Sequence, residues 1–129
     1  MEPDQFSVNE AWLVFRLNDD PIRTEQEGLF NAICLMDAAS CFILAVALIP
    51  AQSLEPSEWD TACLFKDAWK HRQQFPAKLF VPIGEYEVVI PAQAQRHGIL
   101  VVMVPESDLS VFTREARESF RERVQRTYG

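Results

Sequence analysis

Three closely spaced apolar runs near the start of the chain constrain its fold more than any other feature. They cover residues 11–17 (AWLVFRL), 29–36 (LFNAICLM) and 41–49 (CFILAVALI). A turn and a polar connection within residues 18–28 separate the first two runs, and only residues 37–40 separate the last two. Runs of this length and composition are typical of strands, and connections this short join antiparallel neighbours. The segment therefore predicts a three-stranded antiparallel meander.

The same three runs are almost continuously apolar, with little alternation between apolar and polar residues. Continuous apolar strands are typical of a sheet that is covered on both faces. A helix is the alternative for residues 38–48, but the apolar run there is short and lies between Ser40 and Pro50. We therefore favour a strand at this position.

The rest of the chain alternates between helical and strand patterns. The predicted elements are a helix from about Pro56 to Gln74, a strand over residues 78–83, a short helix over 91–97, a strand over 99–104, a turn over 105–110 and a helix over about 111–127. Strand–helix–strand units add parallel strands to a sheet. The order β-β-β-α-β-α-β-α thus predicts an α/β fold, a five-stranded mixed sheet with helices on its faces.

Length and composition indicate one globular domain over residues 1–129, because 48% of the residues are hydrophobic and 24% are charged. The start of the chain lacks the basic and apolar regions of a signal peptide, and its longest apolar run is too short to span a membrane. Cys34, Cys41 and Cys63 lie in apolar segments without zinc-binding spacing, which indicates reduced thiols. We expect a cytoplasmic protein with no membrane segment.

The net charge of −7 is concentrated in the first half of the chain. Residues 1–60 contain eleven acidic residues, against only Arg16 and Arg23 as basic ones. Because contacts to phosphates dominate affinity for nucleic acids, this balance argues against general nucleic-acid binding.

Three short stretches add to the predicted order of elements. Residues 12–15 (WLVF) lie where Trp-x-x-Asp is common in a first strand, residues 35–44 (LMDAASCFIL) match a hairpin usually written Asp-x-x-Ser-Arg-x-Ile, and residues 96–99 (RHGI) match a helix end before a last strand. From residue 12 to residue 124 the chain resembles the ribonuclease H-like fold, as in degenerate integrase and DDE transposase catalytic cores. Residues 75–102 also resemble bacterial domains of unknown function.

The resemblance implies which residues an active site would need, since that family uses three carboxylates to hold two metal ions. Phe15 occupies the position of the first carboxylate. Pro82, Ile83 and Gly84 occupy the place of the second. Glu118 matches the third in sequence, but it lies roughly opposite the apolar stripe of the last helix. We therefore expect no catalytic residue, no bound metal and no cofactor.

A displaced acidic site is the alternative interpretation. Asp19, Asp20, Glu85 and Glu118, with Glu87 nearby, would then hold Mg²⁺ at the ends of the first and fourth strands, in a divergent metal-dependent nuclease or phosphotransferase. Acidic residues before a proline, as at Asp19 and Asp20, are also ordinary turn residues.

The other polar residues of interest have structural interpretations. Asp37 is expected to hydrogen-bond its own hairpin turn. His71 and His97 lie near predicted helix C-termini, where capping and the helix dipole explain them. The sequence contains neither a phosphate-binding loop nor a nucleophile elbow.

The last predicted helix has two different faces. Its apolar residues recur every four positions and are expected to pack on the sheet: Phe112, Ala116, Phe120, Val124 and Tyr128. Arg114, Arg117 and Arg121 are interleaved with glutamates, and we expect Arg117 and Arg121 to point outward. They form either a solvated face or a contact surface for an acidic protein partner or nucleic acid.

Taken with the missing carboxylates, this pattern favours a non-catalytic ribonuclease H-like interaction or structural module with an unknown protein partner. A nucleic-acid-binding relic of a mobile-element protein is the further alternative. The sequence leaves the oligomeric state open.

Overall fold

The computed structural model describes residues 1–25 and 28–128, which form six strands, three α-helices and a short 3₁₀-helix at Pro3–Gln5. The strands are β1 (Ala11–Arg16), β2 (Ile22–Thr24), β3 (Gly28–Asp37), β4 (Ile43–Pro50), β5 (Lys78–Pro82) and β6 (Leu100–Val104). The helices are α1 (Glu58–Trp69), α2 (Val89–Arg96) and α3 (Glu106–Tyr128). Apart from β2, the elements follow the predicted order.

All six strands belong to one mixed sheet with β1 near its centre. β1 pairs antiparallel with β3, placing Phe15 opposite Cys34, and parallel with β5, placing Leu13 opposite Phe80. β4 is antiparallel on the far side of β3, and β6 is parallel on the far side of β5. The predicted meander of the first three long strands and the mixed α/β sheet are therefore confirmed.

The sheet contains one strand more than the five that were predicted. β2 is only three residues long and pairs antiparallel with the start of β3, where Ile22 faces Phe30. The sequence prediction placed these residues in a turn and a polar connection, because a three-residue run is too short to show strand periodicity. Pairing with the neighbouring end of β3 compensates for that weak local preference.

Each face of the sheet has its own hydrophobic core. α1 and α2 cover one face, where Trp12 and Phe65 are fully buried. α3 covers the other face, where Leu13 and Phe112 are buried. Successive residues of a strand point to opposite faces, so a strand between two cores needs apolar residues at every position. This explains the continuous apolar run of β1.

The helix ends differ from the prediction. α1 begins after Ser57, whose hydroxyl accepts a hydrogen bond from the Asp60 N–H at 3.0 Å, and it ends at Trp69 instead of near Gln74. Gln73 adopts a φ of 53° in the turn that follows. α2 is followed by Gly98 at a φ of 73°, in agreement with its predicted role at the helix end.

α3 begins at Glu106, directly after Pro105, so the predicted turn over residues 105–110 was wrong. Glu106 and Asp108 lie in the first turn, where the positive end of the helix dipole favours acidic side chains. Among the described residues no helix, α3 included, is both long and apolar enough to cross a membrane.

Two phenylalanines of α3 test how this helix stabilises the sheet. Phe112 is only 2% exposed, whereas Phe120 is partly exposed at the margin of the same core; the Val124 and Tyr128 side chains lie outside the described ones. We expect Phe112→Ala to lower the free energy of unfolding by about 3–5 kcal/mol. Phe120→Ala should cost only about 1–2 kcal/mol, because less of its ring is removed from water. Urea denaturation measures both values, and equal losses would contradict this packing.

Candidate functional site

An arginine from α3 lies over the centre of the sheet. Phe15 on β1 is 1% exposed and faces the core beneath α3. The guanidinium carbon of Arg117 lies 5.4 Å from the centroid of the Phe15 ring, a distance typical of a cation–π contact. The position at which the resemblance predicts a first carboxylate thus holds an aromatic ring with a cation above it.

Two hydrogen bonds hold Arg117 in this position. Its Nε donates to the carbonyl oxygen of Arg16 at 3.0 Å, and one terminal nitrogen donates to Glu106 Oε1, also at 3.0 Å. The Arg117 side chain is 22% exposed. The prediction that it points outward was therefore wrong, because the last carbonyl of β1 and the first turn of α3 both offer it acceptors.

Glu118 is exposed, one residue beyond the arginine that faces the sheet. The outward orientation inferred from the apolar stripe is correct for this residue. Within residues 1–25 and 28–128, no three His, Cys, Asp or Glu side chains are close enough together to hold a metal ion.

The acids of the displaced site lie in separate places. Asp19 accepts two hydrogen bonds from Arg121, from Nε at 3.0 Å and from a terminal nitrogen at 2.5 Å, and this contact raises the pKa of Arg121. Asp20 borders the same cleft of about 510 Å³. Glu85 lines a different cleft, and Glu118 borders a third. The structure does not bring these four carboxylates together.

Carboxylates near the end of β5 bind backbone N–H groups. The N–H of Gly84, which adopts a φ of 89°, donates to Glu87 Oε1 at 2.6 Å. Glu55 Oε1 accepts from the N–H groups of Val88 and Val89, both at 2.8 Å, at the start of α2. Like Glu106, Glu55 received no role in the sequence prediction, since its partners are remote in sequence.

Asp37 supports the hairpin between β3 and β4. Its carboxylate is buried and accepts hydrogen bonds from the Ser40 N–H at 2.9 Å, the Ser40 hydroxyl at 2.6 Å and the Asn9 N–H at 2.7 Å. Asn9 in turn accepts from Trp12 Nε1 at 2.7 Å. The predicted role of Asp37 in its own turn is confirmed, and the contact to the N-terminal segment is additional.

Both histidines make structural contacts. His71 Nε2 lies 2.8 Å from the carbonyl oxygen of Leu44, so this nitrogen must carry the proton. The His97 ring stacks on Phe75 with centroids 4.1 Å apart, and burial together with the charge of Arg96 lowers its pKa. Neither contact resembles a catalytic pair with a nucleophile.

All three cysteines are free thiols. Cys34 is buried, and burial raises its pKa; burial and the charge of Asp37 also raise the pKa of Cys41. The reactive thiolate form is therefore disfavoured at both positions.

Comparison with known proteins identifies the architecture. No protein family and no curated protein matches the sequence significantly. Solved structures do match. A chain of the simian T-cell lymphotropic virus intasome, in complex with PP2A regulatory subunit B56 gamma, aligns with 86% of this chain at 12% identity and a TM-score of 0.56. The HTLV-2 integrase catalytic core domain, in complex with magnesium, aligns with 84% of it at 11% identity and a TM-score of 0.51.

The chain has a ribonuclease H-like fold, as the sequence predicted. It spans 37% of the first matching chain and 82% of the second. At these identities the likeness concerns the fold alone.

Separate substitutions of Arg117 and Arg121 compare a partly buried arginine of α3 with an exposed one. Arg117→Ala removes a partly buried guanidinium, its bond to the Arg16 carbonyl and its contact with Phe15. We expect a loss of about 1.5–3 kcal/mol in the free energy of unfolding. Arg121→Ala, at an exposed pair, should leave thermal stability unchanged within error. A stable Arg117→Ala protein would show that the ribonuclease H-like sheet does not depend on this cation.

Proposed function

We propose that this chain is a non-catalytic ribonuclease H-like module that acts through contacts with a protein partner. The observation that carries the proposal is the Arg117 guanidinium held over Phe15. Magnesium and manganese require several oxygen ligands, and a fixed positive charge repels them. The proposal therefore includes neither a metal nor another cofactor.

Two further observations support an absence of catalysis. The Asp19 carboxylate accepts hydrogen bonds from Arg121, and the Glu87 carboxylate accepts one from the Gly84 N–H. Both acids therefore already have partners within the fold. Glu118 points away from the sheet into solvent. A carboxylate cluster would require the loops after β1 and β5 to rearrange together with α3.

The proposed interaction surface is the outer face of α3. Arg114 is exposed, and the Arg121 side chain is 54% exposed even while paired with Asp19. Arginines of this kind are enriched at protein interfaces, and they would suit an acidic partner. Arg117 belongs to the fold and is removed from this surface. The simian virus chain of similar fold is itself seen in complex with a regulatory protein subunit.

The proposal treats residues 1–129 as one module in a reducing compartment such as the cytoplasm. None of Cys34, Cys41 and Cys63 forms a disulfide. Free thiols are the rule in reducing compartments.

Metal titration and cleavage assays test the absence of catalysis. We expect no calorimetric site for Mg²⁺ or Mn²⁺ tighter than about 0.1 mM. We also expect no cleavage of labelled single- or double-stranded DNA or RNA above the level of Asp19→Ala and Asp20→Ala controls. Divalent-dependent cleavage that both controls abolish would overturn the proposal in favour of the displaced acidic site.

Salt-dependent binding distinguishes a protein partner from a nucleic-acid partner. We expect fluorescence anisotropy to show no micromolar binding of DNA or RNA at physiological salt, because the chain carries a net charge of −7. The variant Arg114→Glu/Arg121→Glu should keep the wild-type melting temperature. An affinity that falls steeply with salt and is lost in this variant would instead support the nucleic-acid-binding alternative.

A further inference from the structure

The outer edge of β4 presents unpaired backbone groups. Within the described residues β4 pairs only with β3, so one of its edges is open. The Ala51 N–H donates to the Leu29 carbonyl at 2.9 Å, in the register that continues the β3–β4 pairing. In an antiparallel ladder such bonds recur at every second residue. Ala47 therefore directs its backbone groups toward β3, while Val46 and Leu48 direct theirs outward.

Between Val46 and Leu48 this open edge lacks the features that prevent edge-to-edge pairing, since the bulge of the β3–β4 pairing and the contact of His71 with the Leu44 carbonyl both lie at the start of β4. Natural edge strands carry charges, inward-pointing polar groups or a proline in mid-strand. β4 (ILAVALIP) contains no charged residue, and its proline stands at the last position. The Val46 and Leu48 side chains are 47% and 60% exposed. They face the same side of the sheet as Cys34 and Ala32, their partners on β3.

We propose that the occupant of this edge is a second copy of the chain, paired antiparallel through β4 about a two-fold axis at Ala47. Val46 then lies opposite Leu48 of the second copy, and each such pair exchanges two backbone hydrogen bonds. The exposed aliphatic side chains of both copies come together on the α3 side. The two Ala47 residues face each other on the opposite side, where a small side chain permits close approach.

The ends of β4 restrict the pairing to the residues between Leu44 and Pro50. The proposed register places Leu44 opposite Pro50 of the second copy, and a proline has no N–H to donate. The Leu44 carbonyl, which points outward, needs no such donor because His71 Nε2 already donates to it at 2.8 Å. A register centred on Val46 would face this occupied carbonyl with the Leu48 N–H, and a register centred on Leu48 would leave the Val46 carbonyl opposite Pro50, which has no N–H.

If two copies associate, charge favours contact through the β4 edge over contact through other surfaces of the chain. Two copies with a net charge of −7 each repel one another. β4 is an electrically neutral segment, so self-pairing there places no like charges directly opposite. Such an interface is isologous, as two-fold symmetry requires.

Sedimentation or light scattering of the full chain tests the pairing. We expect a species of twice the 14.8 kDa chain mass. Val46→Lys/Leu48→Lys should be monomeric, because it places lysines opposite one another. The matched control Leu54→Lys/Val88→Lys, at residues 91% and 67% exposed elsewhere, should remain dimeric. Circular dichroism checks that each variant is folded.

A second variant keeps the test decisive if the double lysine change prevents folding. Leu48→Pro removes one outward N–H but no hydrogen bond to β3, as edge positions allow. It should weaken dimerisation at least tenfold, whereas Leu48→Thr, which keeps the N–H, should weaken it less.

Crosslinking tests the register. Facing residues in a non-hydrogen-bonded antiparallel pair have Cα atoms about 4.5 Å apart, within disulfide range. Oxidised Ala47→Cys should therefore yield a covalent dimer that neither the wild type nor Leu54→Cys forms. A wild type that stays monomeric up to about 1 mM, or a dimer unaffected by the lysines at positions 46 and 48, would overturn the inference. Failure of this test would not affect the proposed absence of metal chemistry. Metal-dependent cleavage would in turn not affect the proposed pairing through β4.

Discussion

The structure depends on β1 being enclosed on all sides. Its two edges pair with β3 and β5, and its two faces contact separate cores. Every residue in the middle of such a strand leaves water on folding, so an ionised side chain there is costly unless it is paired or bound to metal. Phe15 meets this requirement with an apolar ring.

The cation above Phe15 follows from the geometry of strand and helix ends. The Arg16 carbonyl lies at the last residue of β1, and Glu106 is the first residue of α3. Arg117 reaches both acceptors from the fourth turn of the helix. One side chain thus joins the end of the central strand to the helix that covers it.

The long strands and the order of elements could be predicted because burial on both faces leaves a continuous apolar signal in the sequence. β2 and the start of α3 could not, since most of their residues are polar and their stability comes from partners elsewhere in the chain. The role of Asp37 was predictable because Ser40, which donates to it, is three residues away. The orientation of Arg117 toward the sheet was not predicted, although its place on the helix indicates it. Arg117 lies four residues after Thr113, which is buried, and about 60° from Phe120 around the helix.

The central strand also divides the chain into parts with different folding requirements. The pairings of β3 with β1 and β4 join segments that are neighbours in sequence, whereas Leu13 meets Phe80 only after α1 has been synthesised and folded back. Loop closure makes such distant pairings slow relative to local ones. The meander should therefore form first during refolding and the β5–β6 half should join it late, so a nascent chain would expose one edge of β1 until its second half leaves the ribosome.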